Sequence, residues 1–147
     1  MRFFLDSSTC VCFLKARFPA LRQRILSHRP AEFAIPSLVN AELLCVARKS
    51  QQAAENEEVV RQFLLPYALV GFGDREADHS ADIRATLGKL GTPIGPNDTI
   101  IAAIVRANHG VLVPHNTGGF RRVPGKGRAA AGEGDVPAPY PASPWSA

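Results

Sequence analysis

Three carboxylates stand where an apolar pattern would not place them by chance: Asp6, Glu42 and Asp98. Asp6 directly follows the apolar run Phe3-Phe4-Leu5. Glu42 lies about a turn and a half into the helix expected after a second strand. Asp98 falls in the first turn of a helix opened by Pro96, a residue suited to that position. Carboxylates held together repel one another, and a site that keeps them normally neutralises them with a hard cation. Mg²⁺ prefers carboxylate and water oxygens. One or two such ions can activate a water and stabilise the charge that builds on a phosphodiester during hydrolysis. Singly, each acid has an ordinary explanation. Asp98 can favour a helix dipole, Asp6 can be a strand-end turn residue, and Glu42 can be an exposed helix glutamate. Only their convergence on one cleft would make them a metal-dependent hydrolytic site.

The elements that must position them read as alternating strands and helices. Residues 2–5 predict a strand, and Ser7 or Ser8 is expected to cap a helix running to about Ala16. A second helix follows Pro19, and residues 33–35 predict the second strand. Ser37 is expected to cap a helix to about Lys49, with Leu38, Ala41, Leu44 and Cys45 at helical spacing. A helix over residues 52–64, a strand over 67–71 and a long helix capped by Asp74 come next. The Pro96 helix ends near Asn108, Gly110 stops it, and residues 111–113 predict a fourth strand. This order predicts an α/β fold: a central parallel sheet of about four strands, flanked by helices on both faces. In such sheets ligands bind beyond the carboxyl ends of the strands, where the acids would lie.

Composition narrows the classes. With 147 residues the chain has room for one domain with a real core. No apolar run approaches the roughly 18 residues of a membrane span, and the start lacks the pattern of a secretory signal. The expected compartment is therefore the cytoplasm, with no membrane partner. Cys10, Cys12 and Cys45 are an odd set without paired spacing, so neither a disulfide framework nor a zinc site is indicated. Cys10 and Cys45 read as small buried hydrophobes. A formal charge of +4 permits a nucleic-acid partner. It is spread out, since residues 1–120 carry 13 Lys+Arg against 11 Asp+Glu. No glycine-rich loop follows the first strand, which removes support for a nucleotide-binding α/β protein. Near residue 124 the composition turns to Gly, Ala and Pro. Residues 1–124 are thus the expected domain and 125–147 an expected disordered tail.

The chain also resembles a known family. Phe3-Phe4-Leu5-Asp6-Ser7-Ser8 is similar to the opening strand and Asp-Thr-Asn of PIN domains, and Ile35-Pro36-Ser37-Leu38-Val39-Asn40-Ala41-Glu42 resembles their second acidic motif. Gly91-Thr92-Pro93-Ile94-Gly95-Pro96-Asn97-Asp98, with Ile83-Arg84-Ala85 before it, is similar to the segment carrying the third acid in VapC-type toxins of toxin–antitoxin systems. The likeness covers roughly residues 1–125. It implies a PIN-like fold, an Mg²⁺-dependent endoribonuclease (Mn²⁺ substituting), a homodimer, an RNA substrate and a cognate antitoxin protein. By matching positions Asp6, Glu42 and Asp98 become the metal-binding and catalytic acids, and Arg84 a candidate for RNA contact.

The sequence departs from that pattern in two places. Ser7-Ser8 replaces Thr-Asn, and the Ser8 hydroxyl can still serve as an accessory group. The closing pattern Thr-Asn-Asn-Thr-Arg-Glu-Phe is read as Pro114-His115-Asn116-Thr117-Gly118-Gly119-Phe120, so Gly119 stands at the fourth acid. Asn116 and His115 are accessory candidates there, but neither restores the carboxylate. A weakened metal site follows, chiefly for any second ion. The alternative is a catalytically impaired PIN-fold protein that still binds antitoxin or RNA.

Overall fold

Phe3-Phe4-Leu5, Phe33-Ala34-Ile35-Pro36 and Val111-Leu112-Val113 are near-continuously apolar, the pattern of strands covered on both faces. The computed structural model describes residues 2–15 and 19–113, and in it these runs form three adjacent strands of a parallel sheet. The described elements are β1 (Phe3–Leu5), α1 (Ser7–Leu14), α2 (Pro19–Ser27), a 3₁₀ turn (Pro30–Glu32), β2 (Phe33–Pro36), α3 (Ser37–Lys49), α4 (Ala53–Leu64), β3 (Ala68–Val70), α5 (Asp74–Lys89), α6 (Pro96–Ala107) and β4 (Val111–Val113). The expected fold class is the observed one. The expected tail lies outside the described residues.

The four strands run in the order β3-β2-β1-β4, every neighbouring pair parallel. Phe3 pairs with Phe33 on one side and Val111 on the other, and Leu5 with Val113, so β1 is central. Phe4, Leu5, Ile35 and Leu112 are almost wholly buried, together with Ile83 and Leu87 of α5 and Ile104 of α6. Rings of Phe3, His28, Phe33, Tyr67, Phe63 and Phe13 follow one another at centroid spacings of 5.2–6.1 Å, tying α1, α4 and three strand ends together. Among the described residues, no helix is long and apolar enough to cross a membrane.

The junction into β4 is tight. Gly110 N–H donates to Val105 O at 2.9 Å and His109 N–H to Arg106 O at 3.1 Å, while His109 takes φ 52°. These bonds close the carboxyl end of α6 in a Schellman turn. A Cβ on Gly110 would stand 2.3 Å from Cε2 of Phe4, so glycine is what lets this turn lie against β1.

Several helix starts differ from expectation by one residue. Pro36 rather than Ser37 precedes α3, and Gly73 rather than Asp74 precedes α5, where the Glu76 carboxylate accepts from the Gly73 N–H at 3.0 Å. The buried stripe of α3 is also shifted, to Val39, Leu43 and Ala47. Cys45, expected to be buried, is exposed: it lies two residues past Leu43, about 200° around the helix. Cys10 and Cys12 are the buried pair of cysteines.

Candidate active site

A helix joining two parallel strands runs antiparallel to them, so its N-terminus lies at the carboxyl edge of the sheet. Asp6 ends β1, α3 leaves directly from the end of β2, and α6 begins at that same edge before returning into β4. The topology alone therefore carries Asp6, Glu42 and Asp98 to one rim, beside the central strand. Sheets of this kind bind ligands there.

Asp6 is buried and is itself the N-cap of α1, the role expected of Ser7 or Ser8. Its backbone is extended at φ −83°, ψ 171°, continuing the strand, and its Oδ1 accepts from the Thr9 N–H at 2.8 Å. The cap falls on Asp6 because that residue ends the ladder, leaving Ser7 and Ser8 free to take helical backbone. Thr9 then donates its hydroxyl to Val113 O at 2.8 Å, locking the first turn of α1 to the end of β4. The thiol of Cys10 is pushed well above its ordinary pKa, first by burial and then by the charge of Asp6.

Glu42 lies on a flank of α3, partly buried, and receives two neutral donors. The Ser7 hydroxyl donates to Oε2 and the Asn97 side-chain amide to Oε1, the latter at 3.3 Å. Among the described residues these are the hydrogen-bond partners of Glu42. Asp98 is half-buried, and its pKa is raised first by burial and then by the negative charge of Glu42. Residues far apart in sequence thus meet across the packed faces of α3 and α6.

The Ser8 hydroxyl makes no hydrogen bond to a described residue. Ser7, expected as a helix cap rather than as a site residue, makes the contact to Glu42 instead. Asn97 was likewise legible only as part of a motif. Arg84 is exposed on α5, with no described contact linking it to the acids. Arg48 of α3 is paired with Glu57 of α4 at 2.8 Å. His115 and Asn116 lie outside the described residues, as does the whole closing pattern with Gly119.

For a divalent ion the donor set is chemically suitable, since carboxylate, hydroxyl and amide oxygens are the hard ligands Mg²⁺ takes. The raised pKa of Asp98 beside Glu42 marks a like-charge pair that a cation would relieve. The site is not a preformed cage. Among the described residues no three His, Cys, Asp or Glu stand close enough together to hold an ion as they are. Glu42 is turned toward Ser7 and Asn97, and Asp6 toward its own helix. Each of those carboxylate oxygens keeps a second lone pair that a cation could use alongside the existing bond.

Known proteins share this frame. The family model of the PIN domain matches residues 3–126. The chain is 32% identical over 125 residues to the tRNA(fMet)-specific endonuclease VapC of Salmonella typhimurium, covering 85% of this chain and 94% of that protein. It is 30% identical over 123 residues to ribonuclease VapC2 of Haemophilus influenzae, covering 84% and 92%. Among solved structures it is similar to DNA-bound VapBC from Salmonella typhimurium, with a TM-score of 0.80, 31% identity and coverage of 88% of this chain and 96% of that one. Promoter-bound VapBC2 from Rickettsia felis follows at a TM-score of 0.78 and 26% identity over 84% and 94%. The chain belongs to the PIN-domain family.

Proposed function

We propose that the chain is a divalent-metal-dependent endoribonuclease, the toxin half of a toxin–antitoxin pair, working as a cytoplasmic homodimer. The observation that carries this reading is that the Asn97 side chain, beside Asp98 on α6, bonds Glu42 on α3 at the carboxyl edge of the sheet, next to the end of β1 that bears Asp6. Asp98, raised in pKa first by burial and then by the charge of Glu42, gains from a cation held beside it. The names of the relatives support the substrate class: two are a tRNA(fMet)-specific endonuclease and a ribonuclease. The structural neighbours are VapBC assemblies, which supports an antitoxin protein as partner.

Asp6, Glu42 and Asp98 would hold Mg²⁺ or Mn²⁺. Once bound, such an ion acidifies a water and offsets the charge developing on the scissile phosphate. The chain's own contribution is positional. The cap to Thr9 holds Asp6 at the strand end, Ser7 and Asn97 orient Glu42, and the first turn of α6 presents Asp98. Specificity for one RNA would come from loop shape and stacking around this rim. Given the first relative's name, tRNA is the substrate to try first.

Purified chain should cleave RNA with Mg²⁺ or Mn²⁺, stop on chelation, and lose cleavage in Glu42→Gln with folding retained. Equal inertness of wild type and variant toward total tRNA and total RNA would overturn the enzymatic reading. A second reading is favoured by Gly119 at the fourth acidic position. In it the chain still grips antitoxin or RNA but cuts poorly, and co-purification with antitoxin without cleavage is its signature.

A further inference from the structure

We propose that Asn97 is a positioning residue for Glu42: its side-chain amide, paired with the Ser7 hydroxyl, holds the Glu42 carboxylate toward Asp98, where a divalent cation would meet it. This rests on the reading of Glu42 as a cation ligand. The two donors come from different elements, Ser7 from α1 and Asn97 from α6, and reach different oxygens of one carboxylate on α3. Each is the chain neighbour of another acid, Ser7 of Asp6 and Asn97 of Asp98. The same first turns that present two of the acids therefore also grip the third.

The grip has something to oppose. Glu42 and Asp98 repel each other, and the glutamate side chain has enough rotatable bonds to swing out into solvent. Among the described residues, the charge of Glu42 is met by these neutral donors and by no cation. Asn97 spends its amide on α3 rather than on its own helix, whose N-cap Gly95 has no side chain to offer. Residues that orient a metal ligand in this way typically change metal affinity by about 10–100-fold when removed.

The test is a calorimetric Mg²⁺ titration of the full chain as wild type, Asn97→Leu and Asn97→Gln, with Tm recorded in EDTA. Asn97 is exposed, so the fold should tolerate both changes. Asn97→Leu, which keeps the bulk and loses the donor, should weaken Mg²⁺ by about 10-fold or more with Tm in EDTA no lower than wild type. Asn97→Gln, which keeps an amide donor on a flexible stem, should recover much of that loss. Ser7→Ala should move affinity in the same direction as Asn97→Leu. Unchanged affinity in Asn97→Leu, or no recovery in Asn97→Gln, overturns the proposal. If wild type binds Mg²⁺ and Asp98→Asn does not, such a result sinks the positioning role alone. If wild type binds no Mg²⁺, the metal-site reading falls with it.

Discussion

Asp6 carries two roles on one side chain, and the structure separates them. As N-cap it accepts the Thr9 N–H at 2.8 Å, and both residues are buried, at 7% and 2% exposure. Asp6→Ala removes the acceptor and leaves that buried N–H unsatisfied. Loss of a cap costs about 1 kcal/mol, and burial of the orphaned donor moves the total toward about 2 kcal/mol. For a chain of this length that lowers Tm by roughly 5 °C. Asp6→Asn keeps a carbonyl oxygen at the same place for the cap and gives up the charge–dipole attraction, about 0.3–1 kcal/mol. Thermal unfolding in EDTA should therefore rank wild type and Asn close together and Ala below both. RNA cleavage with Mg²⁺ should be lost in both variants, because neither supplies a carboxylate. An Asn variant as unstable as Ala would refute the capping argument. An Asn variant that still cleaves would remove Asp6 from the chemistry.

Three further outcomes follow from the same geometry. Asp98 has its folded pKa raised, so protonation is easier in the folded than in the unfolded chain, and the ionised group costs stability at neutral pH. Asp98→Asn should raise Tm at pH 7 without metal, with the gain shrinking as pH falls through the raised value and gone below the ordinary 3.8; a gain that persists in acid would contradict this. Glu57 is the opposite case, held at about 2 by hydrogen bonds first from Arg48, which ties α3 to α4, and then from Arg61 of its own helix. Its contribution should be complete above the ordinary 4.5 and lost as pH falls toward 2, so the Tm difference between wild type and Glu57→Gln should close over that range. Gly110→Ala would drive a methyl into the Phe4 ring, 2.3 Å away at closest, and should cost about 1–3 kcal/mol in a urea titration; a neutral result would mean that β1 and the α6 turn shift apart easily.

Much of this fold is legible because punctuation and apolarity agree. Pro96 opens α6, Gly110 closes the turn after it, and the strands are short runs of Phe, Leu, Ile and Val. Cap positions are less legible. Asp6, Ser7 and Ser8 are all good caps, and the choice is made by which residue ends the β1 ladder, a property of pairing with β2 and β4. The stripe of α3 moved by one residue for a similar reason. Leu38, Leu44 and Cys45 are as apolar as Val39 and Leu43, and only the angle at which α3 lies on the sheet and α4 selects between them. Asp6 and Asp98 could be found as a strand-end and a first-turn carboxylate, and Glu42 as an acid in the helix after the second strand. Their supports could not, because Ser7 and Asn97 reach Glu42 across 35 and 55 residues of chain, through helix packing that periodicity does not encode.

The central claim is that Asp6, Glu42 and Asp98 make one cation site. Its most direct test is isothermal titration of Mg²⁺ into the purified chain beside Asp98→Asn. The account predicts binding in about the millimolar range or tighter for wild type, and none for the variant. Absence of binding in both, or equal binding in both, would contradict it.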